Sequence, residues 1–151
     1  MAKVNASAAR EIDAPASDIY GIIADETQRQ QFLPDAYSDF TIEEGGNGAG
    51  TVTRFKLATR PGKFRECTME VTEPDPGKTL VETDRGSSLV TTFTVTPEGD
   101  SKSRVSIATS WNGAGGIGGF FEKTFAPKAL GRIYSDQLDR LNSYAVSRRS
   151  A

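Results

Sequence analysis

The sequence predicts an α+β fold in which a curved antiparallel sheet closes around one long terminal helix. Three observations predict it. Near the start, Ile12-Asp13-Ala14-Pro15 leads into a helical apolar face of Ile19, Ile22 and Ile23. Near the end, a helical pattern extends from Ile117 to about Val146. Between them lie runs of strand character joined by Gly/Pro turns. A long helix with one apolar face must bury it, and the intervening strands supply a sheet for that purpose. A sheet gripping a helix leaves room between the two, so the pattern also predicts an internal pocket.

Each element follows from local chemistry. Residues 3–13 read as the first strand. Pro15 suits the opening of a helix, where a missing N–H costs little, and that helix runs to about Asp25. Thr27 and Gln30 have capping-box spacing and start a short helix through Phe32, which Pro34 ends. Phe40 and Ile42 alternate with polar neighbours across 37–44, before a Gly45-Gly46-Asn47-Gly48 hairpin loop. Strands at 51–59 and 64–73 flank Pro61-Gly62, which suits a type II turn. Cys67, Met69 and Val71 share one face of the second. Residues 79–85 and 88–96 form a further pair, the latter with Leu89, Thr91, Phe93 and Val95 on one side. Residues 103–111 close the sheet, with Val105, Ile107, Thr109 and Trp111 together. The connections are short, so the sheet is antiparallel. In the last helix Leu130, Ile133, Tyr134, Leu138, Leu141 and Ala145 recur at helical spacing. Pro127 predicts a kink or break near Ala126, preceded by a short segment carrying Phe120, Phe121 and Phe125.

Composition removes several function classes. The chain of 151 residues shows neither repeat nor linker, which predicts one domain over 1–151. A net charge of -2 gives no bias toward nucleic acid. Arg148-Arg149 complements the dipole at the end of the last helix. No histidine occurs, which excludes Ser-His-Asp and Cys-His machinery and every His-ligated metal. The single Cys67 cannot form an internal disulfide and reads as a small buried apolar residue. Neither a metal nor a cofactor is expected. No leader pattern and no apolar run of spanning length occur, so the expectation is a cytoplasmic protein without stable membrane insertion. Asn5-Ala6-Ser7 matches a glycosylation acceptor by letter only.

With its elements in this order, the chain resembles the START/Bet v 1-like (SRPBCC) superfamily, and within it the polyketide cyclase/dehydrase and lipid-transport group. The matching residues are Ile12-Asp13-Ala14-Pro15, Ile22-Ile23-Ala24-Asp25, Phe32-Leu33-Pro34, Gly50-Thr51, the run from Pro74 to Leu80, and the terminal helix. The resemblance implies a helix-grip fold: a seven-stranded antiparallel sheet wrapped around a long C-terminal helix, with two short helices after strand 1. It implies that ligands pass between that helix and the loops at one end. The chain departs from the better-characterised enzymes by lacking histidine, and no catalytic signature transfers residue by residue. The catalytic residues are therefore unknown at this level, and fold does not fix function.

Strand alternation nominates the residues that look at the helix: Phe55, Leu57, Cys67, Met69, Thr91, Phe93, Ile107, Thr109 and Trp111. Phe120, Phe121, Tyr134 and Leu138 join them from the helical segment. Tyr134, Thr91 and Thr109 offer hydroxyls. Arg54, Arg65, Glu82 and Asp84 are expected on the solvent face, because a lone charge in an apolar pocket is costly. An inward arginine would select an anionic or carbonyl-bearing ligand. Acid–base chemistry without histidine needs a tyrosine or a carboxylate, and Glu82 with Tyr134 is the pair to test. Gly113-Ala114-Gly115-Gly116-Ile117-Gly118 spells G-x-G-x-x-G, but no parallel strand follows, so a flexible gate fits better than a dinucleotide turn. Phe120, Phe121 and Phe125 read as core or lid rather than a membrane wedge.

These readings converge on a carrier or sensor for a small hydrophobic molecule such as a lipid, a polyketide-like aromatic or an isoprenoid. The alternatives are a cofactor-free polyketide cyclase/dehydratase and a protein-interaction module of the co-chaperone or ribosome-associated type. The oligomeric state is not legible. A roomy cavity predicts that Thr109→Trp fills it and blocks binding without unfolding the chain. A solid core predicts overpacking instead.

Overall fold

The computed structural model describes residues 3–60, 63–112 and 125–150. Strand β1 (Lys3–Ile12) leads into helix α1 (Ala16–Ala24) and a short 3-10 helix, Glu26–Gln31. Strands β2 (Tyr37–Glu44), β3 (Val52–Arg60), β4 (Lys63–Asp75), β5 (Thr79–Asp84), β6 (Val90–Pro97) and β7 (Ser103–Asn112) follow. Helix α2 (Phe125–Ser150) comes last. The sheet order is β1-β7-β6-β5-β4-β3-β2, with every neighbouring pair antiparallel. The α+β helix-grip architecture is thus as the sequence predicts.

The strands form where alternation is cleanest. In β7, Ser103, Val105, Ile107, Thr109 and Trp111 are buried while their neighbours are not. Branched Val, Ile and Thr suit the pleat, and their alternation fixes register because a one-residue slip would expose the whole set. Register therefore aligns inner-face residues across strands. Ala6, Thr109, Thr91, Glu82 and Val71 lie side by side across β1, β7, β6, β5 and β4. The next row holds Ala8, Ile107, Phe93 and Leu80. Helix α2 lies chiefly along β1 and also meets β3. Helix α1 meets β6 and β7.

One local expectation changes. The cap of the 3-10 helix is Asp25, not Thr27: its carboxylate accepts from the Thr27 backbone N–H at 3.1 Å and from the Thr27 hydroxyl at 2.6 Å. Asp25 wins because it stands at the N-cap position itself, where its carboxylate reaches the first free N–H groups. Pro127 lies near the described start of α2, and the segment before Phe125, on which the expected kink or break depends, falls outside the described residues. The Pro61-Gly62 turn, the G-x-G-x-x-G segment, Phe120 and Phe121 lie outside the described residues.

The loop after β2 fastens the 3-10 helix to the sheet. Gly48 N–H donates to Ala24 O at 3.0 Å and Glu26 N–H donates to Gly46 O at 2.9 Å. Glu73 on β4 accepts from Ala49 N–H at 2.8 Å and from the Tyr20 hydroxyl at 2.6 Å. Gly48 has φ +70, and a Cβ there would meet the Glu73 carboxylate, so glycine suits the position.

Candidate functional site

The inner face of β3–β7, the 3-10 helix and α2 enclose a space of about 20 Å³. That is room for a single water-sized body. Of the sequence-predicted residues, Phe55, Leu57, Met69, Thr91, Phe93, Ile107 and Tyr134 line it. Cys67, Thr109, Trp111 and Leu138 are buried in the surrounding core but do not border it. The remaining walls are Arg29, Tyr37, Glu82 and Leu89. Among the described residues, the space between sheet and helix is thus too small for a ligand. Long side chains, Arg29 and Tyr37 among them, occupy the concavity that helix and sheet backbone leave between them.

The chemistry concentrates on a buried ionic cluster. Arg29, 3% exposed, donates from Nη2 to Glu26 Oε1 at 2.9 Å and to Glu82 Oε2 at 2.7 Å. Glu26 is 1% exposed and Glu82 2%. The guanidinium stands 5.0 Å from the Phe93 ring centre and 5.8 Å from that of Phe32. Such contacts with ring faces help hold a cation out of water. Glu26 Oε2 and Arg29 Nε have no hydrogen-bond partner. Burial, with Glu82 close by, pushes the Glu26 carboxyl up to about 8 against the pull of Arg29. Two carboxylates on one guanidinium would leave a net negative charge in the interior, and a proton on Glu26 removes it.

Beside this cluster runs a chain of hydroxyls. Thr91 and Thr109 Oγ1 atoms are 2.8 Å apart, and Thr109 hydrogen-bonds the Tyr134 hydroxyl. Burial pushes the Tyr134 phenol up to about 12, so it stays protonated at neutral pH. Tyr37, set edge-on against Phe55 with ring centres 5.3 Å apart, is likewise raised by burial. Glu82 lies opposite Thr91 in the β5–β6 register and Thr91 opposite Thr109, so carboxylate and hydroxyls occupy one row.

The expectation that Glu82 and Asp84 face solvent is corrected. Both are buried, because β5 turns Leu80, Glu82 and Asp84 to the same inner face. The cost is met by partners: Arg29 for Glu82, and Arg65, Thr68 N–H and Ser87 for Asp84. Arg54 is on the outside as expected, 3.3 Å from Glu43. Arg65 is partly buried against Asp84. Arg29 and Glu26 escape sequence reasoning, since they sit in the polar run Glu26-Thr27-Gln28-Arg29-Gln30-Gln31. Cys67 is fully buried and its thiol is pushed up to about 12 by burial, as an inert core residue requires.

A larger cleft of about 520 Å³ opens on the surface between α1 and the end of α2, lined by Ser17, Asp18, Gln28 and Arg148 among others. It is open to solvent. The small interior space outranks it chemically because its charged groups are desolvated and converge. Among the described residues there is no cluster of three metal-ligating side chains and no helix long and apolar enough to cross a membrane.

Fold and site together define a helix-grip protein with polar groups gathered inside an apolar grip. The model of the family described as polyketide cyclase / dehydrase and lipid transport matches residues 1–146, and the chain belongs to that family. The KanY protein, solved by NMR, is 39% identical with a TM-score of 0.83, covering 96% of this chain and 99% of that one. The Zhui aromatase/cyclase from a Streptomyces species shares the fold at 16% identity and a TM-score of 0.71, covering 99% of this chain and 97% of its own. Norcoclaurine synthase from Thalictrum flavum does so at 17% identity and 0.70, covering 98% and 97%. The sequence has no match among curated proteins.

Proposed function

We propose that the protein binds a small hydrophobic molecule bearing polar oxygen, such as a polyketide-like aromatic, a lipid or an isoprenoid, between the sheet and α2. The observation that carries this reading is the convergence of Arg29, Glu82, Thr91, Tyr37 and Tyr134 on one apolar-walled interior space. Ligand sites combine mostly apolar walls with a few placed polar groups. An empty apolar void costs roughly 24 cal/mol per Å³, so walls close in where they can. Binding then requires the walls to part. The expected role is a cytoplasmic carrier or sensor. The buried Glu82–Arg29 pair beside Tyr134 also favours a second reading, a cofactor-free cyclase/dehydratase, because it offers acid–base groups without histidine.

Mass spectrometry of small molecules that co-purify with the native protein tests binding directly. An NMR titration with lipids and aromatics is expected to shift Phe93, Thr91 and Tyr134. A silent panel would favour the protein-interaction module instead. Turnover of a polyketide-like substrate that Glu82→Gln abolishes would establish the enzyme.

A further inference from the structure

The polar groups of the interior space come from Glu82, Arg29, Thr91, Tyr134 and Tyr37, and the one carboxylate among them selects a ligand chemistry. The Glu82 carboxylate borders the space and can only accept hydrogen bonds. Arg29 Nη2 is already shared by both carboxyls, and Arg29 Nε is buried away from any acceptor. The three hydroxyls of Thr91, Thr109 and Tyr134 satisfy one another in a chain, which leaves one spare hydrogen at one end. Glu26 lies behind the cluster and does not border the space. Its Oε2 is buried without a donor, yet the Glu82 carboxylate is within hydrogen-bond reach of the Glu26 carboxyl. A proton on Glu26, given to Glu82, resolves the orphan oxygen and makes the cluster neutral: one guanidinium, one carboxylate, one carboxylic acid.

Resting on the ligand-binding reading above, we infer that Glu82 is its specificity-determining residue and selects a ligand with a hydroxyl donor, a phenol or an enol. Glu26 and Arg29 are positioning residues. Arg29 ties Glu82 to the 3-10 helix, and Glu26 supplies the proton that lets a second carboxyl lie beside it. The buried carboxylate faces apolar walls, so a donor there forms a charge-assisted bond roughly twice as strong as a neutral one. A ligand without a donor leaves that carboxylate desolvated and unpaired on its open side. The spare hydroxyl hydrogen in the neighbouring row suits an adjacent carbonyl oxygen. The inferred ligand class is therefore a phenol or enol with a nearby carbonyl, rather than a plain hydrocarbon or fatty acyl chain.

Calorimetric titration of the intact chain with p-cresol and p-xylene tests this, since the two differ only by hydroxyl against methyl. The inference expects p-cresol to bind at least about tenfold more tightly, which is about 1.4 kcal/mol, although p-xylene is the more hydrophobic. Glu82→Gln is expected to bring the ratio within about threefold by weakening p-cresol. Equal or tighter p-xylene binding to the unmodified protein overturns the inference and leaves the pocket standing. So does a preference that survives in Glu82→Gln. Binding of larger apolar probes with neither small aromatic also overturns the inference alone. Failure of every probe overturns the pocket itself. Should Glu82→Gln not fold, Glu82→Asp keeps the charge but retracts it by one methylene and must reduce the ratio.

Discussion

Strand β5 buries two carboxylates two residues apart, and they are employed differently. Asp84 is saturated. Its oxygens accept from Arg65 at 3.2 Å, from Thr68 N–H at 3.0 Å and from the Ser87 hydroxyl at 2.7 Å. Ser87 in turn accepts from Leu89 N–H, so the cluster is a fastener for the β5–β6 turn. Glu82 instead shares its cation with a second carboxyl and borders an interior space. Burial alone does not separate structure from function here, because both residues are nearly inaccessible. What separates them is whether hydrogen-bonding capacity is used up. A saturated buried charge holds a turn; an unsaturated one beside a space can read a ligand.

The sharpest way to break this comparison is to remove the two arginines in turn. Arg29→Met leaves Glu26 and Glu82 facing one another in the interior without a cation. Breaking a buried pair by removing one partner costs about 3–5 kcal/mol. Arg65→Met leaves Asp84 with Thr68 N–H and Ser87, and Arg65 is itself 20% exposed, so the loss should be below about 2 kcal/mol. Urea unfolding at pH 7 measures both. Equal losses would mean that the two clusters are the same kind of device.

A smaller effect tests how solid the row next to Glu82 is. Thr109 is 2% exposed and hydrogen-bonded on both sides, and it lies outside the enclosed space. The benign cavity filling expected of Thr109→Trp from sequence is therefore replaced by overpacking, at about 1–3 kcal/mol. Thermal unfolding measures it. A variant of unchanged stability would reveal a concavity that opens readily.

The strands were legible because Val, Ile and Thr alternation is a local signal, and even Glu82 carried one. It stands two residues from Leu80, on the face that Leu80 fixes as inward. Composition argued it onto the surface, and period should have prevailed. Arg29 carried no such signal. Its burial depends on Glu82, 53 residues away, and on Phe93, neither of which its own polar segment announces. The volume of the interior was equally illegible, since it is set by which long side chains fold into it. Helix α2 was readable from Leu130 onward by its spacing.

The finest distinction between the clusters is their response to pH. Folded Glu26 keeps its proton up to about pH 8, against 4.5 for the free group, with burial as the main cause. Between those values the folded state binds more protons than the unfolded chain, so stability falls as pH rises through that window. The slope from one such group is at most about 1.4 kcal/mol per pH unit. Glu26→Gln keeps a donor toward Glu82 and removes the titration, so its stability should decline less between pH 5 and pH 8, while groups shared with the unmodified chain cancel in the difference. Parallel unfolding curves across that range would show Glu26 ionised throughout. The interior would then hold two full negative charges on one guanidinium, and the neutral cluster on which the reading of Glu82 depends would not exist.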